Sequence, residues 1–294
     1  MPGNLRFRAA VFVMAGWFWA AAPAFAQLTP EATRGFERYV QLTEQRMDAE
    51  VQPGAPFLQV DGLPEAQRQS VLAQLERGEV VPQQLTTSAP AAEIATPGAL
   101  IHHWVGTVFI PGATLRQVLA LVQDYDHQHL YYQPEVERSK LLAHSGDDFK
   151  IYLRLKQTDV ITVVLDTEYD VHYEQLDANR AESRSYSTRI AEIARPGEAD
   201  ERALPAGDDH GFLWRINSYW RFEETRRGVF VQCEAISLTR DIPVGLGWLI
   251  TPLIEHVPKE SLEFTLEATR KAVLNRASPA SPKQDAGLRS GDNT

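Results

Sequence analysis

One short segment brings acids and imidazoles close enough together to suggest acid-base chemistry or a zinc site. Residues 124–129 read DYDHQH, with two aspartates and two histidines in six positions. The segment follows a run with helical spacing and leads into a loop, where such side chains usually cap the helix and face solvent. We therefore predict that Asp124, Asp126, His127 and His129 bind no structural metal.

Other motifs for catalysis or cofactor binding are missing from the sequence. His102 and His103 are adjacent, and adjacent residues of a strand point to opposite faces, so the pair cannot share one metal ion without distortion. Residues 245–247, GLG, resemble the start of a dinucleotide fingerprint, but Ile250 occupies the position of the third glycine. The chain has no G-x-S-x-G, H-E-x-x-H, P-loop or C-x-x-C motif. The sequence thus predicts neither a metal nor a cofactor.

Cys233 is the single cysteine of the chain. It excludes an intramolecular disulfide and a thiolate metal cluster, so stability must come from packing. No histidine or basic residue flanks Cys233 in the sequence. We therefore interpret it as a small buried hydrophobic residue of a strand rather than as a reactive thiol.

The first residues have the pattern of a bacterial export signal. Two arginines precede the apolar run 9–22, which is followed by the small-x-small triplet Ala24-Phe25-Ala26. This pattern predicts that residues 1–26 are a signal peptide, cleaved before Gln27. A retained membrane anchor is the alternative, but the run is shorter than the roughly 20 apolar residues that span a membrane. We expect a mature protein in the periplasm or the medium.

The charge of the chain excludes two classes of partner. The formal net charge is -10 at pH 7, and the predicted leader contains two arginines and no acids. Cleavage would therefore leave an even more acidic mature chain. Such a charge is unsuited to nucleic acid and to electrostatic docking on anionic lipid. We also expect no stable transmembrane insertion, and the sequence does not identify a protein partner.

The mature chain begins with helices and ends in a polar tail. Thr29, Pro30 and Glu31 form a helix start, and helical spacing continues to about Met47. A second helix is predicted from Leu63 to Arg77. Both are polar on most faces, so residues 27–78 should be a helical extension that packs onto a larger body. Residues 277–294 are rich in Ser, Pro, Gly and charge and are predicted to be disordered.

The larger body has the pattern of long antiparallel strands. A strand at 100–110 and a helix from about 115 to 125 come first, and the hydrophobic period from 141 to 240 is then close to two. The clearest element is a hairpin of Phe212–Glu223 against Val229–Arg240 across residues 225–228. This turn places Trp220 opposite Cys233. A final helix, kinked or broken near its two prolines, is predicted from 246 to 275.

The two faces of this hairpin differ in polarity. One face carries aromatic residues, including Trp214 and Trp220. The other carries Arg221, Gln232, Glu234 and other polar residues, and it is either a set that orients a ligand or an ordinary solvated face. Tyr219, Ile236 and Leu238 share this polar face and are poorly suited to water.

The order of elements and several local sequences resemble the START-like superfamily. The residues that carry the resemblance are 118–125, 132–139, 213–222 and 234–243. The superfamily includes lipid-transfer domains, polyketide-cyclase-like proteins and the birch-pollen allergen family. The match covers about 100–276 within a domain of 79–276. It implies an α+β helix-grip fold, in which a curved antiparallel sheet is wrapped around a long C-terminal helix, here with an N-terminal helical extension.

The resemblance also implies a cavity between the sheet and the C-terminal helix. We expect it to bind a hydrophobic small molecule such as a lipid, sterol or polyketide, without catalysis. A cyclase-like or hydrolase-like enzyme that uses Asp166, His172 or Glu234 is one alternative. A structural or interaction module with a filled core is another. The residues predicted to bind the ligand are Trp214, Tyr219, Trp220, Glu234, Arg240, Leu253, Leu262 and Leu266.

Overall fold

The computed structural model describes residues 28–87, 94–158, 161–205, 207–241 and 247–277. For residues 247–255 and residue 277 it describes the backbone alone. The predicted leader, and residues 278–294 of the predicted tail, lie outside the described residues. In the part of the chain that the structure describes, no helix has the length and apolar character needed to cross a membrane.

An antiparallel sheet of nine strands forms the body of the molecule. The strands are β1 (Val81–Gln84), β2 (Ala99–Pro111), β3 (Val136–Ser145), β4 (Asp148–Thr158), β5 (Thr162–Gln175), β6 (Arg180–Ala194), β7 (Arg202–Ala203), β8 (Arg215–Thr225) and β9 (Gly228–Arg240). The strand order is β1-β2-β9-β8-β6-β5-β4-β3, and the short β7 pairs with the end of β6. Strands that are distant in the chain, β2 and β9, are therefore neighbours.

The concave face of the sheet packs on the C-terminal helix. The helices are α1 (Pro30–Glu50), α2 (Glu65–Glu76), α3 (Leu115–Val122), α4 (Gln128–Tyr131) and α5 (Gly247–Ala277). Leu262, Leu266 and Val273 of α5 share a core with Val108 of β2 and Val231 of β9. This arrangement is the α+β helix-grip fold that the sequence predicts. The helix α5 runs through Pro252 and Pro258 as one element, whereas a break or kink is predicted there.

The opposite face of the sheet is covered by α1. The Thr29 hydroxyl accepts a hydrogen bond from the Ala32 amide at 3.1 Å and caps this helix. Phe36 and Tyr39 of α1 share a second core with Ile236 and Leu238 of β9. Because successive strand residues point to opposite faces, β9 is buried on both sides, by α5 and by α1. The N-terminal helix is therefore part of the fold.

The predicted hairpin has the register that its turn implies. Trp220 pairs with Cys233, and the strands meet at Thr225 and Gly228. The first strand begins at Arg215 rather than at the predicted Phe212. Trp214 lies just before it, where its backbone amide bonds the Leu238 carbonyl and its ring packs on the α1 side of the sheet. The prediction that Trp214 and Trp220 share one face is wrong, because the regular alternation stops before Trp214.

Gly106 lets α5 approach β2 closely. A Cβ at this position would lie 2.7 Å from Cδ1 of Leu266 and 3.2 Å from Cδ2 of Leu262. Leu266 is fully buried, so it has little room to move. We expect Gly106→Ala to lower the free energy of unfolding by about 1–3 kcal/mol, as overpacking usually does. Urea denaturation measures this change.

Gly62→Ala is the matched control for this substitution. A Cβ at Gly62 would meet only Cβ of Pro56, at the ordinary distance of 3.9 Å. We expect this variant to stay within about 0.5 kcal/mol of the wild type. An equal decrease in the free energy of unfolding of both variants would contradict a close contact between α5 and β2.

Candidate functional site

A cavity of about 370 Å³ lies between the concave face of the sheet and α5. Small-molecule pockets in proteins usually measure about 300–1,000 Å³ and are mostly apolar. The lining comes from β4 and β5 on one side, from β6, β8, β9 and β2 on another, and from α5. The cavity therefore lies between the sheet and α5, as the sequence predicts, and has the size of a small-molecule pocket.

The wall formed by β4 and β5 is mainly hydrocarbon, with the phenols of Tyr169 and Tyr173 on β5. It consists of alternate residues of the two strands, including Ile151 and Leu153 of β4 and Leu165 and Val171 of β5. The intervening side chains point to the other face, where Arg154 forms an ion pair with Asp166 at 2.7 Å. The period of two that identified these strands therefore builds the apolar wall directly.

The helix α5 closes the cavity with a mixed surface. Val257, Leu262 and Phe264 contribute apolar groups, and Ser261 and Thr265 contribute hydroxyls. The Thr265 hydroxyl donates to the Ser261 carbonyl at 2.7 Å. The Thr265 hydroxyl therefore has no hydrogen left to donate to a ligand. The surface that α5 presents to the cavity is mainly apolar.

The remaining wall carries hydroxyl groups on the central strands. Ser185 of β6, Ser218 of β8 and Ser237 of β9 line the cavity. Thr239 lies further along β9, and its Oγ1 is 3.0 Å from Nε2 of His102 on β2. Two tryptophans, Trp104 and Trp220, lie among these polar groups.

Phenol groups also line the cavity. The hydroxyls of Tyr125 and Tyr173 are 2.9 Å apart, and that of Tyr132 is 3.0 Å from Oγ1 of Thr269. Burial raises the pKa of Tyr125 well above its ordinary value and that of Tyr132 to about 12. These groups therefore stay neutral near pH 7 and act as hydrogen-bond donors or acceptors.

Glu135 and His102 are among the further titratable groups that line the cavity. Burial raises the pKa of the Glu135 carboxyl, against the effect of its hydrogen bond with Ser261. Burial lowers the pKa of His102. In both residues the low-dielectric surroundings favour the neutral form. Sequence reasoning missed Glu135, because it precedes β3 and belongs to no periodic run.

No family model matches the chain, and no curated protein matches it. Among solved structures, it is similar to a STAR-related lipid transfer protein from Xanthomonas axonopodis, with 17% identity, 66% of this chain and 98% of that chain covered, and a TM-score of 0.42. It is similar to the Zhui aromatase/cyclase from Streptomyces sp. R1128, with 12% identity, 62% and 98% covered, and a TM-score of 0.43. It is also similar to human STARD10, with 11% identity, 72% of this chain and 81% of that chain covered, and a TM-score of 0.41. These are likenesses of the fold alone.

The structure distributes the predicted ligand-binding residues over both faces of the sheet. Trp220 and Leu262 line the cavity. Leu266 packs beside it in the core under α5. Arg240 ends β9 outside the lining residues, and its backbone amide bonds the Gly211 carbonyl at 2.7 Å. Leu253 belongs to α5, but its side chain lies outside the described residues.

Trp214, Tyr219 and Glu234 lie on the face that α1 covers. Glu234 is 2% exposed and bonds Nε2 of His103 at 2.6 Å and the guanidinium of Arg46. Burial opposes its charge, but the hydrogen bond from His103 and the charge of Arg46 lower the pKa of Glu234. The polar face of the hairpin is therefore neither solvated nor part of the cavity, and its charges join α1 to the sheet.

Arg221 joins the end of α1 to the same face. It is 5% exposed and forms an ion pair with Glu50 at 2.7 Å. Its guanidinium also donates to the carbonyls of Phe57 at 2.8 Å and Met47 at 3.1 Å. A single buried cation thus satisfies acceptors from α1 and from the segment after it.

Of the candidate chemical residues of the sequence, His102 lines the cavity, whereas Asp166, His172 and the acids and histidines of 124–129 lie away from it. Asp166 pairs with Arg154, and His172 is exposed beside Asp148. In the 124–129 segment, Asp124 bonds His127 at 2.7 Å and the Asp126 carboxylate accepts from the Leu141 amide at 2.9 Å. Within the described ranges, no group of three or more acidic, histidine or cysteine side chains is arranged to hold a metal ion. Gln128 and Tyr125 of this segment do line the cavity.

Proposed function

We propose that this protein binds a hydrophobic small molecule in the cavity between the sheet and α5, as a carrier or sensor without catalysis. The observation that carries the proposal is the cavity itself, about 370 Å³ with a mainly apolar wall on β4 and β5. An interaction module with a filled core would have no such space. A ligand of lipid, sterol or polyketide type would fit these walls.

The energy of such binding follows from the hydrocarbon that it buries. A chain of about twelve methylenes would gain on the order of 10 kcal/mol at about 0.8 kcal/mol each. Association costs roughly 4–15 kcal/mol. A purely apolar ligand therefore binds with modest affinity, and polar contacts must supply the rest.

An enzyme remains the second candidate because Glu135 and His102 line the cavity. General acid-base catalysis needs a proton donor or acceptor beside the substrate, and a carboxyl with a raised pKa is suited to that role. However, Glu135 bonds Ser261 and His102 bonds Thr239. The described lining therefore has no hydrogen-bonded carboxylate–imidazole pair, which favours binding over catalysis.

The two tryptophans of the hairpin offer a matched test. Trp220 lines the cavity, whereas Trp214 packs under α1 and donates from its indole to Asp209 at 3.0 Å. We expect Trp220→Leu to change the affinity for an apolar dye, anilinonaphthalene sulfonate, by about fivefold or more, which is about 1 kcal/mol. Trp214→Leu should lower the melting temperature and leave the affinity of the folded protein unchanged. An affinity change in Trp214→Leu alone would contradict the proposed site.

We further propose that binding takes place outside the bacterial cytoplasm. The support is the export pattern of residues 1–26. Amino-terminal sequencing of the protein from the periplasm or medium should begin at Gln27. Material that begins at Met1 would contradict this prediction.

A further inference from the structure

Three serine hydroxyls form a band across the floor of the cavity. Ser185 of β6 pairs directly with Ser218 of β8. Ser218 pairs in turn with Ala235 of β9, which places Ser237 of β9 at the diagonal position. Directly opposed side chains have Cβ atoms about 4.5–5.5 Å apart, and diagonal neighbours about 7–8 Å. We call Ser185, Ser218 and Ser237 the hydroxyl band.

The hydroxyl band has no side-chain hydrogen bond within the part of the chain that the structure describes. Ser185 is 8% exposed and Ser237 is 7% exposed, and all three serines line the cavity. Among the described residues, none forms a hydrogen bond with the side chain of Ser185, Ser218 or Ser237. Their oxygens are accessible from the cavity. A ligand that covers them without offering oxygen or nitrogen atoms would leave them buried and unpaired, which is costly.

The strands β5 and β4, which continue the sheet beside this band, have the opposite character, and Val171 of β5 pairs directly with Ser185. Leu153, Leu165 and Val171 belong to the hydrocarbon surface of β4 and β5. A molecule that satisfies both walls must carry polar atoms along one side and hydrocarbon along the other. A flexible chain would lose entropy when its polar groups were aligned with three strands, whereas a rigid ring skeleton has little to lose.

We propose that the ligand is a rigid, apolar ring compound with hydroxyl or carbonyl groups along one edge, held by the hydroxyl band, rather than a simple acyl chain. This inference rests on the proposed function and specifies the ligand class of the same cavity. The band selects among hydrophobic molecules by the position of their oxygen atoms. A ligand without these atoms leaves buried hydroxyls unsatisfied.

Three carboxylate probes separate this inference from general hydrophobic binding. Cholate has three hydroxyls on one face of a steroid skeleton, 5β-cholanate is the same skeleton without them, and palmitate is an acyl chain. Isothermal titration calorimetry of the wild type and of Ser185→Ala/Ser237→Ala measures each affinity. We expect the double substitution to weaken cholate about tenfold or more, since two neutral hydrogen bonds are lost. The affinity for 5β-cholanate should change less than about twofold or should rise.

Leu153→Ala is the control on the apolar wall, and it should weaken both steroids equally. If the double variant does not fold, Ser218→Ala should weaken cholate alone by about fivefold. Equal changes for cholate and 5β-cholanate in the serine variants would overturn the inference and keep the proposed function. Binding of palmitate without binding of either steroid would also overturn the inference and keep the proposed function. If the wild type binds none of the three probes, both the inference and the proposed function fail.

Discussion

Ala235→Phe is expected to lower the affinity for a cavity ligand by about a hundredfold or more, close to 3 kcal/mol. Ala235 lies on β9 between Trp104 of β2 and Ser218 of β8, and all three residues line the cavity. A phenyl ring at this position would occupy space that the ligand needs. Because the ring enters a cavity rather than a filled core, the melting temperature should change little.

Ala191→Phe is the control for this substitution. Ala191 lies on β6 opposite Asp166, and it is not among the lining residues. Its affinity for anilinonaphthalene sulfonate should equal that of the wild type. A similar loss in both variants, or a wild-type affinity in Ala235→Phe, would contradict the position of the site.

Arg221→Ala is expected to destabilise the protein by about 3–5 kcal/mol, because two buried carbonyls lose their donor and Glu50 keeps only one of its two cations, Arg46. These acceptors are Glu50 and the carbonyls of Met47 and Phe57. For a domain of this size the loss corresponds to a melting temperature lower by roughly 6–20 °C. Differential scanning calorimetry measures the shift.

The surface pair of Arg227 and Glu76 provides the control. Their ion pair has nearly the same distance as that of Arg221 with Glu50, 2.6 Å against 2.7 Å. However, both side chains of the surface pair are largely exposed, whereas Arg221 is buried. Arg227→Ala should cost less than about 1 kcal/mol. If the two arginine variants melt at the same temperature, α1 is not held to the sheet by Arg221.

Local patterns were sufficient to predict the hairpin and the fold class. The turn at 225–228 and the alternation on both sides of it fix the pairing of Trp220 with Cys233. The apolar stripe on the last helix, with Leu262 and Leu266, likewise predicts the surface that the sheet grips. These features depend on periods of two and of 3.6 residues, which a sequence displays directly.

The role of the polar hairpin face could not be predicted in this way. Glu234 and Tyr219 are buried by α1, which lies about two hundred residues earlier in the chain. Their charges and hydroxyls are satisfied by partners such as Arg46 and Glu44, and such long-range pairs leave no periodic signal. From its polarity, this face was predicted to contact either solvent or a ligand. In the structure it forms a buried interface with α1.

The hydroxyl band was missed for a related reason. Serine in a strand is equally consistent with a solvated face and with a cavity wall, so Ser185, Ser218 and Ser237 gave no distinct signal. Only the pairing of β6, β8 and β9 brings them onto one surface. Cys233, in contrast, is buried as predicted, and burial raises the pKa of its thiol well above the ordinary value.

The central claim is that the cavity holds a hydrophobic molecule. Native mass spectrometry of the purified protein, followed by organic extraction of the same sample, tests it most directly. We expect the wild type to have an additional mass that disappears on extraction and is recovered as an apolar compound in the extract, and Ala235→Phe to have none. A wild-type protein without bound mass, which also fails to take up lipids, sterols or polyketides added in excess, would contradict the claim.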